Sequence, residues 1–186
     1  MRIQWIPGIL AIMTLILSSC GNLAGPDPQG PDPQGQAAVP AELQFPAGER
    51  VLLRAEAKGV QIYQCKTNAQ NAARLEWTFV APEADLSDAN GKPVGKHYAG
   101  PTWEASDGSK VVGEVRAHTE APDANAIPWL LLSAKSTSGT GTFANVTHIQ
   151  RIDTVGGKAP ESCRNVDTGR TLSVPYSATY IFSVGK

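Results

Sequence analysis

Charge is scarce in this chain. Lys and Arg number 16 and Asp and Glu 17, so charged residues are 18% of the 186 and the net charge is -1. Affinity for phosphate backbones rests on clustered Lys and Arg. The composition therefore argues against nucleic acid as a partner, and against a polybasic membrane-surface segment. Aromatic residues are also few, at 6%. No window of helical length repeats apolar residues with a 3.6 period, which argues against a helical bundle. There is no Cys-x-x-Cys and no His-x-His, the short spacings that signal a metal centre. There is no Gly-x-Ser-x-Gly elbow of the hydrolase type. Nor does a Gly-x-Gly-x-x-Gly follow a strand, so no dinucleotide cofactor is expected. No cofactor and no metal enter the expectation.

What is abundant is punctuation: 18 Gly and 14 Pro favour many turns. The first twenty residues have a different organisation. Arg2 supplies a positive start, Ile9 to Leu17 is an apolar run too short to span a bilayer comfortably, and Leu17-Ser18-Ser19-Cys20 closes it. This has the form of a secretory signal, and the closing tetrad resembles the lipobox of bacterial lipoproteins. The resemblance implies that Cys20 becomes the mature N-terminus and carries diacylglycerol, with palmitate-like chains anchoring the protein to a membrane. Gly21 follows in place of the Asp that retains lipoproteins in the inner membrane. In a Gram-negative host that resemblance implies the outer membrane. Residues 21–40 contain Pro-Asp-Pro-Gln-Gly twice, at Pro26 to Gly30 and Pro31 to Gly35. So little apolar surface cannot offset ordering entropy, and the prolines extend the segment into a spacer. The expected organisation is a signal peptide over 1–19, a lipidated Cys and disordered tether over 20–40, and a single domain over 41–186.

That domain reads as strands. Val51 to Ala57 and Val60 to Cys65 flank Lys58-Gly59, read as a turn. Trp77 to Val80 is a short run stopped by Pro82. Asn90-Gly91 and Asp107-Gly108 are tight-hairpin signals. Val111, Gly113, Val115 and Ala117 alternate with Val112, Glu114, Arg116 and His118. Trp129-Leu130-Leu131-Leu132 suits a strand buried on both faces. Phe143 to Ile152 and Val174 to Val184 are the last strands. Within the latter, Val174, Tyr176, Ala178, Tyr180 and Phe182 share a face. Many short strands predict an all-β, antiparallel β-sandwich or barrel. With Cys20 assigned to lipid, Cys65 and Cys163 stand alone in an exported domain and are predicted to form a disulfide.

Several segments, in order, resemble one known family. They are Gly59-Val60-Gln61-Ile62-Tyr63-Gln64-Cys65, Trp77 with Pro82, Gly95-Lys96-His97-Tyr98-Ala99-Gly100-Pro101-Thr102-Trp103-Glu104 with Asp107-Gly108-Ser109, Ile127-Pro128-Trp129-Leu130-Leu131-Leu132, Val146-Thr147-His148-Ile149-Gln150-Arg151, and Val174-Pro175-Tyr176-Ser177-Ala178-Thr179-Tyr180. They look like the domain family of unknown function numbered three-four-five-five in the DUF series, which comprises exported bacterial and fungal proteins. The resemblance spans roughly Val39 to Phe182 and implies domain limits rather than chemistry.

The densest set of chemical groups runs from His97 to Ser109. A binding pocket is predicted from His97, Tyr98, Trp103 and Glu104, closed by Trp129, because Gly100-Pro101 breaks simple alternation between the two strands. Against it stands the possibility that Tyr98 and Trp103 are core. No catalytic residues are assigned. Glu104 and Asp107 are the one carboxylate pair near the aromatics, and Asp107 is better explained as the start of a turn. His97, His118 and His148 come from separate strands and need convergence to hold a metal. Three readings follow. The first is a lipid-anchored envelope β-domain that binds a small ligand or a protein partner. The second is an envelope hydrolase acting on sugars or peptides. The third is a structural surface protein with no small ligand.

Overall fold

The computed structural model describes Met1 and residues 38–186. The expected signal peptide beyond Met1, Cys20 and most of the expected tether lie outside the described residues. After a 3-10 turn at Ala41–Leu43, the strands are β1 (Arg50–Thr67), β2 (Leu75–Ser87), β3 (Pro93–Tyr98), β4 (Thr102–Ala105), β5 (Lys110–Thr119), β6 (Trp129–Ser138), β7 (His148–Gly156) and β8 (Thr171–Val184). Each pairs antiparallel with the next, and β1 pairs with β8, so the sheet closes on itself as an up-and-down barrel. The choice between sandwich and barrel is settled by that last ladder, which runs from Arg50↔Val184 to Gln64↔Thr171.

The inward faces are legible from period 2. On β8, Tyr176, Ala178, Tyr180 and Phe182 are buried, as the alternation predicts. Small residues on β1 make room for them. Tyr180 sits opposite Ala55 and Tyr176 opposite Gly59. The run at Trp129 is buried on both faces. Leu132 and the half-buried Leu130 join the barrel interior, while Trp129 and Leu131 pack outside with Leu43, Ala126 and Ile152. Charged side chains such as Arg54, Glu56, Lys96 and Glu104 occupy outward positions. An apolar interior with a charged exterior suits water, and is the reverse of a membrane-spanning barrel.

Three strand boundaries differ from the expectation. Lys58-Gly59 is no turn: β1 continues through it, because β1 and β2 approach so closely there that a Cβ would collide with the carbonyl of Glu83 and the backbone of Ala84. Pro82 does not stop β2. The β2–β3 ladder starts only at Ala84↔His97, so Pro82 lies where β2 has no partner on that side and needs no amide proton for one. The strand expected from Phe143 begins at His148. Phe143 and Val146 belong to the β6–β7 connection and are buried against Phe182, stopping one end of the barrel. Val115 keeps the inward parity, opposite Leu132, yet is 50% exposed, because the β4–β5 ladder ends at Val112 and leaves it at the edge of a gap in the wall.

Both hairpin signals hold. The Asp88 carboxylate accepts from the amides of Asn90 and Lys92 across the first turn. Asp107 accepts from the Ser109 amide and hydroxyl across the second. It also accepts from the Thr142 amide and hydroxyl, which latches the β4–β5 turn to the segment carrying Phe143. The disulfide joins Cys65 and Cys163, with Cα atoms 6.0 Å apart.

Candidate functional site: a cavity in the open mouth

The Phe143 end is closed by side chains. The opposite end, where the β1–β2, β3–β4, β5–β6 and β7–β8 connections meet, holds a cavity of about 410 Å³. Its wall has a lateral opening with a simple cause. β3 and β4 are short, and the β4–β5 ladder ends at Thr102↔Val112. The first half of β2 and the last half of β5 therefore have no hairpin between them. Phe79, Val80 and Pro82 frame one side of the gap, Val115 the other, and Gly100-Pro101 its base. Phe79 and Val80 are each 51% exposed, an apolar rim that a water-facing strand does not need.

Inside, His97 and Trp103 are cross-strand neighbours with stacked rings, centroids 4.3 Å apart. Tyr180 meets both edge-on. Gly113 leaves space for the Trp103 ring, which a Cβ there would press. The His97 Nδ1 lies 2.9 Å from the Thr102 carbonyl oxygen. That oxygen only accepts, so Nδ1 carries the proton and Nε2 keeps its lone pair. Burial depresses the His97 pKa, against the pull of the Thr102 hydrogen bond and with help from the Arg151 charge, to about 4. The ring is neutral at physiological pH.

Arg151 enters from β7. It pairs with Leu130 on β6 and Tyr180 on β8, both cavity residues, so register turns it inward. Its Nε and Nη2 donate to the Pro128 carbonyl at 3.1 and 2.8 Å. Gln61 and Tyr63 line the wall from β1, and the Tyr63 hydroxyl donates to the Gly157 carbonyl at 2.7 Å. Burial raises the pKa of Tyr63 and Tyr180. Trp103 Nε1 is buried without a hydrogen-bond partner among the described residues, while the Tyr180 hydroxyl interacts with Tyr176 and Arg151, and Gln61 with Tyr176.

The five residues predicted to form one pocket fall into three places. His97 and Trp103 line the cavity. Tyr98 and Glu104 face outward, because the register puts them on the opposite parity, and they bond to each other at 2.8 Å with Lys110 at 3.1 Å from Glu104. Trp129 lies outside the barrel, in the cluster with Leu43. The pocket as predicted does not form, although its inward half does. Gly100-Pro101 makes a tight turn and leaves alternation intact on both sides, which is why the set divides. Among the described residues no group of three or more His, Cys, Asp and Glu gathers for a metal. His118 is exposed and His148 bonds Glu49 at 3.0 Å. Gln61, Tyr63, Arg151 and Tyr180 were missed as site residues. Arg151 had a signal: it shares parity with Ile149, a charge on the inward face of a buried strand.

Fold and site together define a closed eight-stranded antiparallel barrel with a side-opening cavity in one mouth. Barrels of this strand number are either filled by side chains or hold one small ligand, and this one is filled at one end and open at the other. The chain belongs to the family described as protein of unknown function (DUF3455), whose model matches residues 46–183. No curated protein matches the chain.

Proposed function

We propose that this protein is a lipid-anchored envelope protein whose barrel binds a small amphipathic molecule in the mouth cavity. The observation that carries the reading is the coincidence of a 410 Å³ cavity, apolar over most of its lining, with the lone guanidinium of Arg151 and the buried, unpartnered Trp103 Nε1. Small-molecule sites are typically about 300–1,000 Å³, mostly apolar, with a few convergent polar groups. Orphaned buried polar atoms are costly in a finished core and ordinary in a site that awaits a partner. The cavity lining has no Asp or Glu, so it offers no carboxylate pair for sugar hydrolysis, and binding is favoured over the hydrolase reading. A purely structural barrel has no use for the apolar rim at Phe79 and Val80. The location of the protein rests on Leu17-Ser18-Ser19-Cys20 and the tether, which favour export, diacylglycerol on Cys20 and, in a Gram-negative host, the outer membrane.

Titration with the neutral fluorescent probe N-phenyl-1-naphthylamine tests the cavity. Saturable enhancement is expected, and Leu130→Trp, which fills the cavity from a half-buried position, abolishes it while the melting transition stays cooperative. No saturable binding to the native barrel overturns the reading.

A further inference from the structure

We infer that the cavity's ligand is a small organic anion, a carboxylate on an apolar body, with Arg151 holding its charged group. This rests on the cavity being a ligand site and adds the chemistry of what enters it.

Arg151 is the one charged side chain among the residues lining the cavity. Among the described residues, no carboxylate lies within ion-pair distance of it, and the acidic groups that do form pairs are engaged elsewhere, such as Asp153 with Arg54 and Glu49 with His148. A half-buried guanidinium without a counter-ion is expensive. Its role toward Pro128 does not require charge, since a neutral amide donates to a carbonyl equally well. That same contact uses Nε and Nη2 and holds the guanidinium plane beside the Tyr180 hydroxyl, where an anion entering the cavity would meet it.

The surrounding polar atoms have matching character. Trp103 Nε1 is a donor only, Gln61 Nε2 belongs to a donor amide, and the Tyr180 hydroxyl carries a proton. With Arg151 they make a set dominated by donors, and the group that complements such a set is acceptor-only. An ionised carboxylate offers about four lone-pair positions and no proton. The rest of the wall is apolar: Phe79, Val80, Val115, Ile127, Leu130 and Leu132. An inorganic anion would leave that surface wet, so the anion carries an apolar body that enters between β2 and β5.

The test compares 2-naphthoate with its neutral isostere 2-naphthamide on the intact protein by isothermal titration calorimetry. The native protein is expected to bind naphthoate tighter by about tenfold or more, the scale of a charge-assisted pair. Arg151→Gln erases that preference and Arg151→Lys restores part of it. Tyr180→Phe, which keeps the ring, weakens naphthoate and leaves naphthamide unchanged. This keeps the proposal falsifiable if Arg151→Gln fails to fold. Equal affinity for the two probes, or a preference that survives in Arg151→Gln, overturns the anion while leaving the cavity as a site for neutral molecules. If neither probe binds and N-phenyl-1-naphthylamine also fails, the cavity reading falls and the anion with it.

Discussion

His97 is a residue whose chemistry depends on where the barrel puts it. In an unfolded chain it titrates near 6.5, and in the barrel burial holds it to about 4. Between those values the unfolded chain binds the proton and the folded chain does not. Stability therefore falls as pH drops through this window. From pH 7 to pH 5 the loss assigned to His97 is about 2 kcal/mol. Urea titrations at the two pH values check this: His97→Gln is expected to lose less than the native protein by about that amount, and an equal loss in both means that His97 is solvated or protonated in the barrel. The histidine was legible as a notable residue. Its direction was not, because His97 and Tyr98 are adjacent in sequence and opposite in the wall. One step of parity separates a cavity residue from one that bonds Glu104 on the outer surface.

Elements show the same division between local and long-range information. The turns at Asn90-Gly91 and Asp107-Gly108 were readable because their signals are local. The passage of β1 through Gly59 and of β2 through Pro82 was not. Those residues break strands in isolation, and only the neighbouring strand's closeness or shortness makes them acceptable. The β7–β8 connection is long, and the disulfide ties its Cys163 to the end of β1 beside the open mouth. A cross-link with a sequence separation of 98 is worth about 4 to 5 kcal/mol in the chain-entropy model. Reduction is expected to lower the melting temperature in calorimetry and to speed amide exchange in residues 157–170 more than in Phe143 and its neighbours. Unchanged melting after complete reduction would show that β1–β8 pairing alone determines stability.

At the scale of the molecule, the proposed anchor and spacer would keep the barrel's mouth within reach of molecules near a membrane. Cys20→Ser is expected to move the protein from the membrane fraction to the soluble fraction and to remove the diacylglycerol mass from the mature N-terminus. The barrel's binding of N-phenyl-1-naphthylamine should be unaffected. A membrane-bound Cys20→Ser protein without lipid would sink the anchor. Period 2 in Tyr176 to Phe182, turn residues at fixed offsets and the two cysteines left after Cys20 were enough to determine an all-β domain and its disulfide. All of these are set by neighbours in the chain or by counting. The closure of β1 on β8, the gap beside short β3 and β4, and the meeting of His97, Trp103, Arg151, Gln61 and Tyr180 around one cavity were decided by tertiary structure alone. Alternation fixes which face a side chain occupies, but the register between strands a hundred residues apart fixes what it faces, and that register comes from packing large rings against Ala55, Ala57 and Gly59.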